Sequence, residues 1–247
     1  MADERLRRAE RALQAGDPEA EARLLVERVR AGTLTPERLR LLAWLEHPAA
    51  RRAEPDAPRA PDLAEVWAQG LPRWRRYTPG LARRQAEQAW LAAWCAGVGR
   101  DDLQPLVRGG LCVARRTAAR LGPQGAEPVL LAVEAWLRDP GPAAAEACLR
   151  AADAQVQRRQ STGGVPRLLA GEIAALVAYA TGAIVAAAAA DGLARALTLA
   201  AHALRGEEEP PPGPEAREDW SPPAALRPPL PELVELVRGE LVAAALG

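Results

Sequence analysis

The sequence predicts an all-α protein, a multi-helix bundle with a proline-rich tether and a short C-terminal helix. Three observations predict it. Apolar residues recur at three- and four-residue spacing in segment after segment, as the buried stripe of a helix requires. No segment alternates with a period of two over strand length, and Val and Ile are sparse beside Ala and Leu, so a sheet has little to be built from. In the opening fifty residues proline and glycine also mark where helices start and stop.

Three helices are expected in a module over 1–52. Leu6, Ala9 and Leu13 share a face of the first, which ends at Gly16. Asp17-Pro18 then supplies a capping side chain and a proline at the first helical position, where its missing N–H costs nothing. The second helix runs to Gly32 with Ala22, Leu25, Val26 and Val29 on one stripe. Thr35-Pro36 repeats the device for a third, which carries Leu39, Leu42 and Ala43 and is expected to reach Pro48.

Residues 53–61, Ala-Glu-Pro-Asp-Ala-Pro-Arg-Ala-Pro, cannot continue a helix, because each proline removes a donor and restricts the residue before it. This is the first joint. A helical core domain follows over 62–205, with helices expected near 62–70, 79–97, 101–121, 125–138, 142–160, 165–190 and 192–205. In the second of these Ala86, Ala89, Trp90, Ala93 and Trp94 fall on one face and would bring two indoles into the core. The run from Ile173 to Ala190 carries no charge. Its Ala and Gly content and the lack of an aromatic belt read as a helix buried on all sides rather than a membrane span.

The second joint, 206–229, turns acidic and then proline-rich from Glu207-Glu208-Glu209-Pro210 onward, a composition that extends rather than packs. A final amphipathic helix over 230–247 carries Leu230, Leu233, Val234, Val237 and Leu241 on one stripe, which must be buried on something. Arg227-Pro228-Pro229-Leu230-Pro231 has the form of a polyproline II ligand, or of a stiff spacer. Ala-Trp-Leu recurs at even spacing, at 43–45, 89–91 and 135–137, which introduces HEAT-like helical repeats as a subsidiary expectation within the all-α class.

Composition narrows the chemistry. The chain contains 32 basic and 32 acidic residues, and with no lysine anywhere every basic residue is arginine. The balanced total leaves no overall field toward nucleic acid or an anionic membrane, and an extended basic face is not expected. The three cysteines, Cys95, Cys112 and Cys148, form no CxxC pair and are expected to be reduced. With a charged start at Met1–Arg5 and no apolar leader, a cytoplasmic location is expected.

Candidates for chemistry each have a simpler structural explanation. His47, expected in the last turn of its helix, and His202 are the two histidines and have no ligand-spaced companions, so neither a metal nor a cofactor is expected. Ser161-Thr162-Gly163-Gly164 precedes a helix but lacks the lysine of a phosphate loop. Asp101-Asp102 stands where a helix cap belongs, and Asp191-Gly192 where a helix would break. A catalytic reading would require a site assembled from distant residues such as Glu134, Glu172 and His202. The densest basic-aromatic cluster, Arg73-Trp74-Arg75-Arg76-Tyr77, is the basis for a third reading, nucleic-acid binding through stacking and phosphate contacts.

The segment Leu131-Ala132-Val133-Glu134-Ala135-Trp136-Leu137-Arg138-Asp139-Pro140, preceded by Trp90-Leu91-Ala92-Ala93-Trp94-Cys95, resembles the alanine-rich, all-helical immunity-like proteins of GC-rich bacteria. Gly16-Asp17-Pro18-Glu19-Ala20 and Leu34–Leu39 are similar to an N-terminal module of bacterial helical proteins. The resemblance implies a protein that binds another protein, as an adaptor, an inhibitor or an immunity component of a defence system, and it brings no catalytic residues. The expected function is therefore non-enzymatic protein–protein interaction. Expected contact residues are Trp67, Trp74, Arg75, Arg76 and Tyr77 near the first joint, and Trp220, Leu233, Val237 and Leu241 in the tail.

Overall fold

The computed structural model describes Glu4, Arg7, Arg11 and residues 19–74, 79–122, 125–161, 169–181, 186–205 and 231–246. The fold is all-α. Among the described residues there are eleven bounded helices and no strand. By compactness the chain divides into a smaller unit, 1–60 with 238–247, and a larger one, 61–237.

In the smaller unit, α1 (Ala20–Arg30), α2 (Pro36–Trp44) and α3 (Pro48–Ala53) pack on one another. Gly32, at φ 73, closes the turn after α1, a backbone state that glycine adopts without a Cβ penalty. Thr35 then caps α2, its hydroxyl accepting from Arg38 N–H at 3.2 Å with Pro36 in the first turn. Ala22, Leu25, Leu34, Leu39, Leu42, Ala43, Ala49 and Ala50 form the core. Arg51 pins the chain that follows α3, donating to the carbonyls of Ala57 at 2.8 Å and Pro58 at 3.0 Å while pairing with Glu46 at 2.8 Å.

Two expectations change here. The third helix stops at Trp44 instead of reaching Pro48, because a residue before proline is pushed out of the helical region and His47 is extended at ψ 121. Glu46 takes the turn at φ 61, a left-handed state that costs an ordinary side chain roughly 1 kcal/mol. Pro48 therefore begins a helix, and His47 stands at a helix N-terminus rather than in a last turn.

The larger unit contains α4 (Leu63–Trp74), α5 (Pro79–Val98), α6 (Leu103–Leu121), α7 (Glu127–Arg138), α8 (Pro142–Ser161), α9 (Leu169–Thr181) and α10 (Ala186–Arg205). α9 is the centre, packing on α6, α7, α8 and α10, and Ile173, Ala174, Ala175, Val177, Ala178 and Ala180 are all buried. α10 also packs on α5 and α6, and α4 on α5. Trp90 and Trp94 stack at 6.5 Å between ring centres, and the Trp90 indole N–H donates to the Pro61 carbonyl at 2.7 Å. Ala86 is buried with them, whereas Ala89, expected on the same face, is exposed.

The expected single helix over 165–190 is two helices, with α9 ending at Thr181 and α10 starting at Ala186. Thr181 turns its hydroxyl back onto the Ala178 carbonyl at 2.7 Å, the local bond by which threonine competes with the helix ladder. The break expected at Asp191-Gly192 does not occur. Asp191 pairs with Arg195 one turn on at 3.0 Å, and Gly192 lies against α9, where an added Cβ would sit 3.9 Å from the Leu176 carbonyl.

The Ala-Trp-Leu tripeptides occupy unequal places. Trp44 ends α2, Trp90 lies in the middle of α5 and Trp136 lies near the end of α7, while Ala43 is buried and Ala89 and Ala135 are exposed. A solenoid of two-helix repeats touches only its neighbouring repeats, whereas α10 reaches back to α5. These tripeptides therefore do not mark a structural repeat.

The last helix, α11 (Pro231–Leu246), is divided by the boundary at Val237. In the smaller unit, Val242, Ala245 and Leu246 join the core formed by α1, α2 and α3, and Arg28 donates to the Leu246 carbonyl at 2.7 Å. A cation at a helix C-terminus satisfies a carbonyl left over by the ladder. Among the described residues, no helix is long and apolar enough to cross a membrane.

Candidate interaction surface

Several residues expected to meet a partner are buried in the chain itself. Trp67 is 4% exposed, Leu233 7%, and Val237 and Leu241 1% each, so as folded these side chains do not form an open surface. Trp74 is the last residue of α4 and its side chain lies outside the described residues, as do Arg75, Arg76, Tyr77 and Trp220 altogether. Of the distant set for a catalytic site, Glu134 pairs with Arg115, and the side chains of Glu172 and His202 lie outside the described residues. The stretch 162–168, including Thr162-Gly163-Gly164, does so too. Asp102 caps α6 as expected, accepting from Gln104 N–H at 3.0 Å.

The chemical groups that are shielded are held for structural reasons. Cys95 is fully buried and desolvation drives its thiol pKa far upward. Burial also raises the pKa of Cys148, against a hydrogen bond with Thr181 that lowers it. Tyr179 donates to Asp153 at 2.7 Å, joining α9 to α8. Desolvation first, then the hydrogen bond to and charge of Asp153, push its phenol up to about 12. His47 Nε2 lies 3.6 Å from Glu21, and its buried Nδ1 has no hydrogen-bond partner among the described residues. Among the described residues no group of His, Cys, Asp or Glu is arranged to hold a metal.

An arrangement not anticipated at the sequence level lies on α6. Its inner face buries Leu106, Val107, Gly109, Gly110, Leu111, Val113, Ala114, Thr117 and Ala118. Gly110 lets the helix approach its neighbours closely, since a Cβ there would lie 2.4 Å from Leu193 Cδ1 and 2.9 Å from Val177 Cγ2. The Thr117 hydroxyl, buried on the same face, donates to the Val113 carbonyl at 2.9 Å. The outer face carries Arg108, Cys112, Arg115, Arg116 and Arg120, and α6 contains four arginines and no carboxylate. At 1.5 Å per residue the row extends over about 18 Å.

Elsewhere, several surface arginines pair close to home, while Arg38, Arg59 and Arg73 have no ion-pair partner among the described residues. Arg30 pairs with Glu27, Arg40 with Glu37, Arg150 with Glu146 and Arg195 with Asp191, each within one helix turn. On α6 only Arg115 has such a partner, Glu134 of α7. Arg108, Arg116 and Arg120 have no ion-pair partner among the described residues. The neutral total conceals this face because carboxylates elsewhere, among them Glu207-Glu208-Glu209, supply the balance. The four arginines are a local row on one helix within a neutral total. The signal was present in the sequence as arginines at 108, 115, 116 and 120 within an acid-free helix.

No known protein family, curated protein or solved structure matches this chain. Three guanidinium groups with no ion-pair partner among the described residues are strong donors for carboxylates, which they can bind through paired, charge-assisted hydrogen bonds.

Proposed function

We propose that this chain is an interaction protein that captures an acidic protein partner on the outer face of α6. The observation that carries this reading is the row Arg108, Arg115, Arg116 and Arg120 on a helix without a carboxylate. Guanidinium groups presented from a packed helix lose less freedom on binding than groups on a loop, which favours their use as anchors. The row contains no aromatic side chain on which a base could stack, and this favours a protein over single-stranded nucleic acid. An adaptor or inhibitor role, including the immunity-type role implied by the resemblance, is a special case of such capture.

The test compares the full chain with the triple variant Arg108→Glu, Arg116→Glu, Arg120→Glu. Its control, Arg30→Glu, Arg40→Glu, Arg150→Glu, carries the same charge change at arginines already paired within their helices. Binding of fluorescent poly-glutamate is read by anisotropy, with helicity checked by circular dichroism. The α6 variant should lose about tenfold or more in affinity and the control much less. Equal losses in both would reduce the effect to net charge and overturn the reading, and preferential binding of duplex DNA would replace it with nucleic-acid recognition.

A further inference from the structure

The backbone passes between the two compact units at two places. One crossing, between Ala60 and Pro61, falls in a stretch without helix, 54–62. The other, between Val237 and Arg238, falls inside α11. An uninterrupted helix resists bending, because each turn is tied by hydrogen bonds to the turn before it. Whatever stiffness the backbone carries from one unit to the other therefore depends on the turn of α11 that crosses the boundary.

α11 is held on both sides of that crossing. Before it, Leu233, Val234 and Val237 are buried and belong to the larger unit. Beyond it, Leu241 is buried, and Val242, Ala245 and Leu246 pack into the core of the smaller unit, where Arg28 also donates to the Leu246 carbonyl. Between the two groups stands Gly239. It is exposed, and a Cβ there would meet nothing within 4 Å. Gly110 and Gly171 also lie inside helices, but a Cβ at either would collide with a neighbouring side chain, Leu193 for the first and Gln155 for the second, so close packing accounts for them. No such contact accounts for Gly239. What glycine does there is weaken the helix, which opens at glycine about fivefold more readily than at alanine.

We infer that α11 is jointed: it bends at Gly239 while each half keeps its own packing, and this turn is the hinge through which the two units move. Hinges are a few residues at which the backbone absorbs the change, and they fall between rigid bodies rather than within one. Gly239 has that position, and no side chain of its own has to clear a neighbour as the helix bends. The helical hydrogen bonds that span it, donated by the amides of residues 240–243 to carbonyls four residues earlier, are the ones the bend opens.

The experiment uses the full chain with spin labels at Arg30→Cys in the smaller unit and Arg150→Cys in the larger, both exposed, in a Cys112→Ser background that leaves only buried thiols. The distance distribution from pulsed electron paramagnetic resonance should be broader than that of a pair within the larger unit, Arg138→Cys with Arg150→Cys. Gly239→Ala should narrow it, and a second glycine, Glu240→Gly, should broaden it further, with helicity retained by circular dichroism. Gly141→Ala, at a glycine equally open but inside the larger unit, should leave it unchanged. Hydrogen exchange reads the same event locally. The amides of residues 240–243 should exchange about fivefold or more faster than those of residues 236–238, and Gly239→Ala should remove most of the difference. A narrow distribution in the parent chain, or a broad one that Gly239→Ala leaves unaltered, would overturn the hinge, as would equal exchange on the two sides of the crossing.

Discussion

At the scale of the residue, Gly110 is tightly constrained by apolar neighbours. An added methyl group would collide with Leu193 and Val177 in a packed interior, so Gly110→Ala should destabilise the fold by about 1–3 kcal/mol in denaturant unfolding. Gly141→Ala, where nothing lies within 4 Å, should change stability by no more than about half a kcal/mol. Thiol labelling separates the cysteines by burial. Iodoacetamide should modify Cys112 in the native chain and reach Cys95 and Cys148 only on unfolding, read by mass spectrometry. Tyr179 gives a pH prediction with a definite sign. Its folded pKa, raised to about 12, lies above the ordinary value of 10.0. Between those values the unfolded chain releases a proton that the folded chain keeps, so stability falls as pH rises through that window. In a Tyr77→Phe background the tyrosinate absorbance should accordingly appear late, and Asp153→Asn should bring it earlier. None of these positions declares itself in sequence, because close approach at Gly110 and desolvation at Cys95 depend on residues far along the chain.

At the scale of the element, substitutions in α11 should act in opposite directions. Gly239 lies exposed inside the helix and a Cβ there would meet nothing, so Gly239→Ala should stabilise by about 0.5–1 kcal/mol through helix propensity alone. Ala245 is buried in the core of the smaller unit, and Ala245→Asp would place a charge there. Hydrogen exchange across α1 and α2 should then accelerate by about tenfold or more, which checks that this part of α11 is integral to the unit. Helix starts were legible where the signal is local, as with Thr35-Pro36 and Asp102, since the cap and its partner are a few residues apart. The stop of α9 was not, because the run from Ile173 to Ala190 is apolar throughout. Asp191-Gly192 looked like a stop, yet glycine is tolerated within a helix that packs closely on another. The last helix was legible as amphipathic, but which surface would cover its stripe was not, since that is a property of tertiary packing.

At the scale of the whole molecule, the all-α class was legible because helical periodicity and the shortage of β-branched residues agree along the chain. Division of the charge was not legible from the sum. Counting acids and bases over the chain gives zero, whereas counting them helix by helix isolates α6. Binding through such a face should weaken steeply with added salt, since exposed guanidinium groups interact over roughly 10 Å at moderate ionic strength. A capture protein of this kind should also keep its affinity in variants that disrupt the Tyr179 and Asp153 bond, because that bond joins α8 and α9 and contributes nothing to the outer face of α6.

The placement of the indoles gives the two units separate optical signatures. Of the seven tryptophans, Trp44 alone falls within the smaller unit, while the stacked Trp90 and Trp94 belong to the larger. Stacked chromophores couple electronically, so near-ultraviolet dichroism should track the loss of the larger unit. Emission from a chain retaining only Trp44 should track the smaller, which allows a single thermal ramp to reveal whether they melt together.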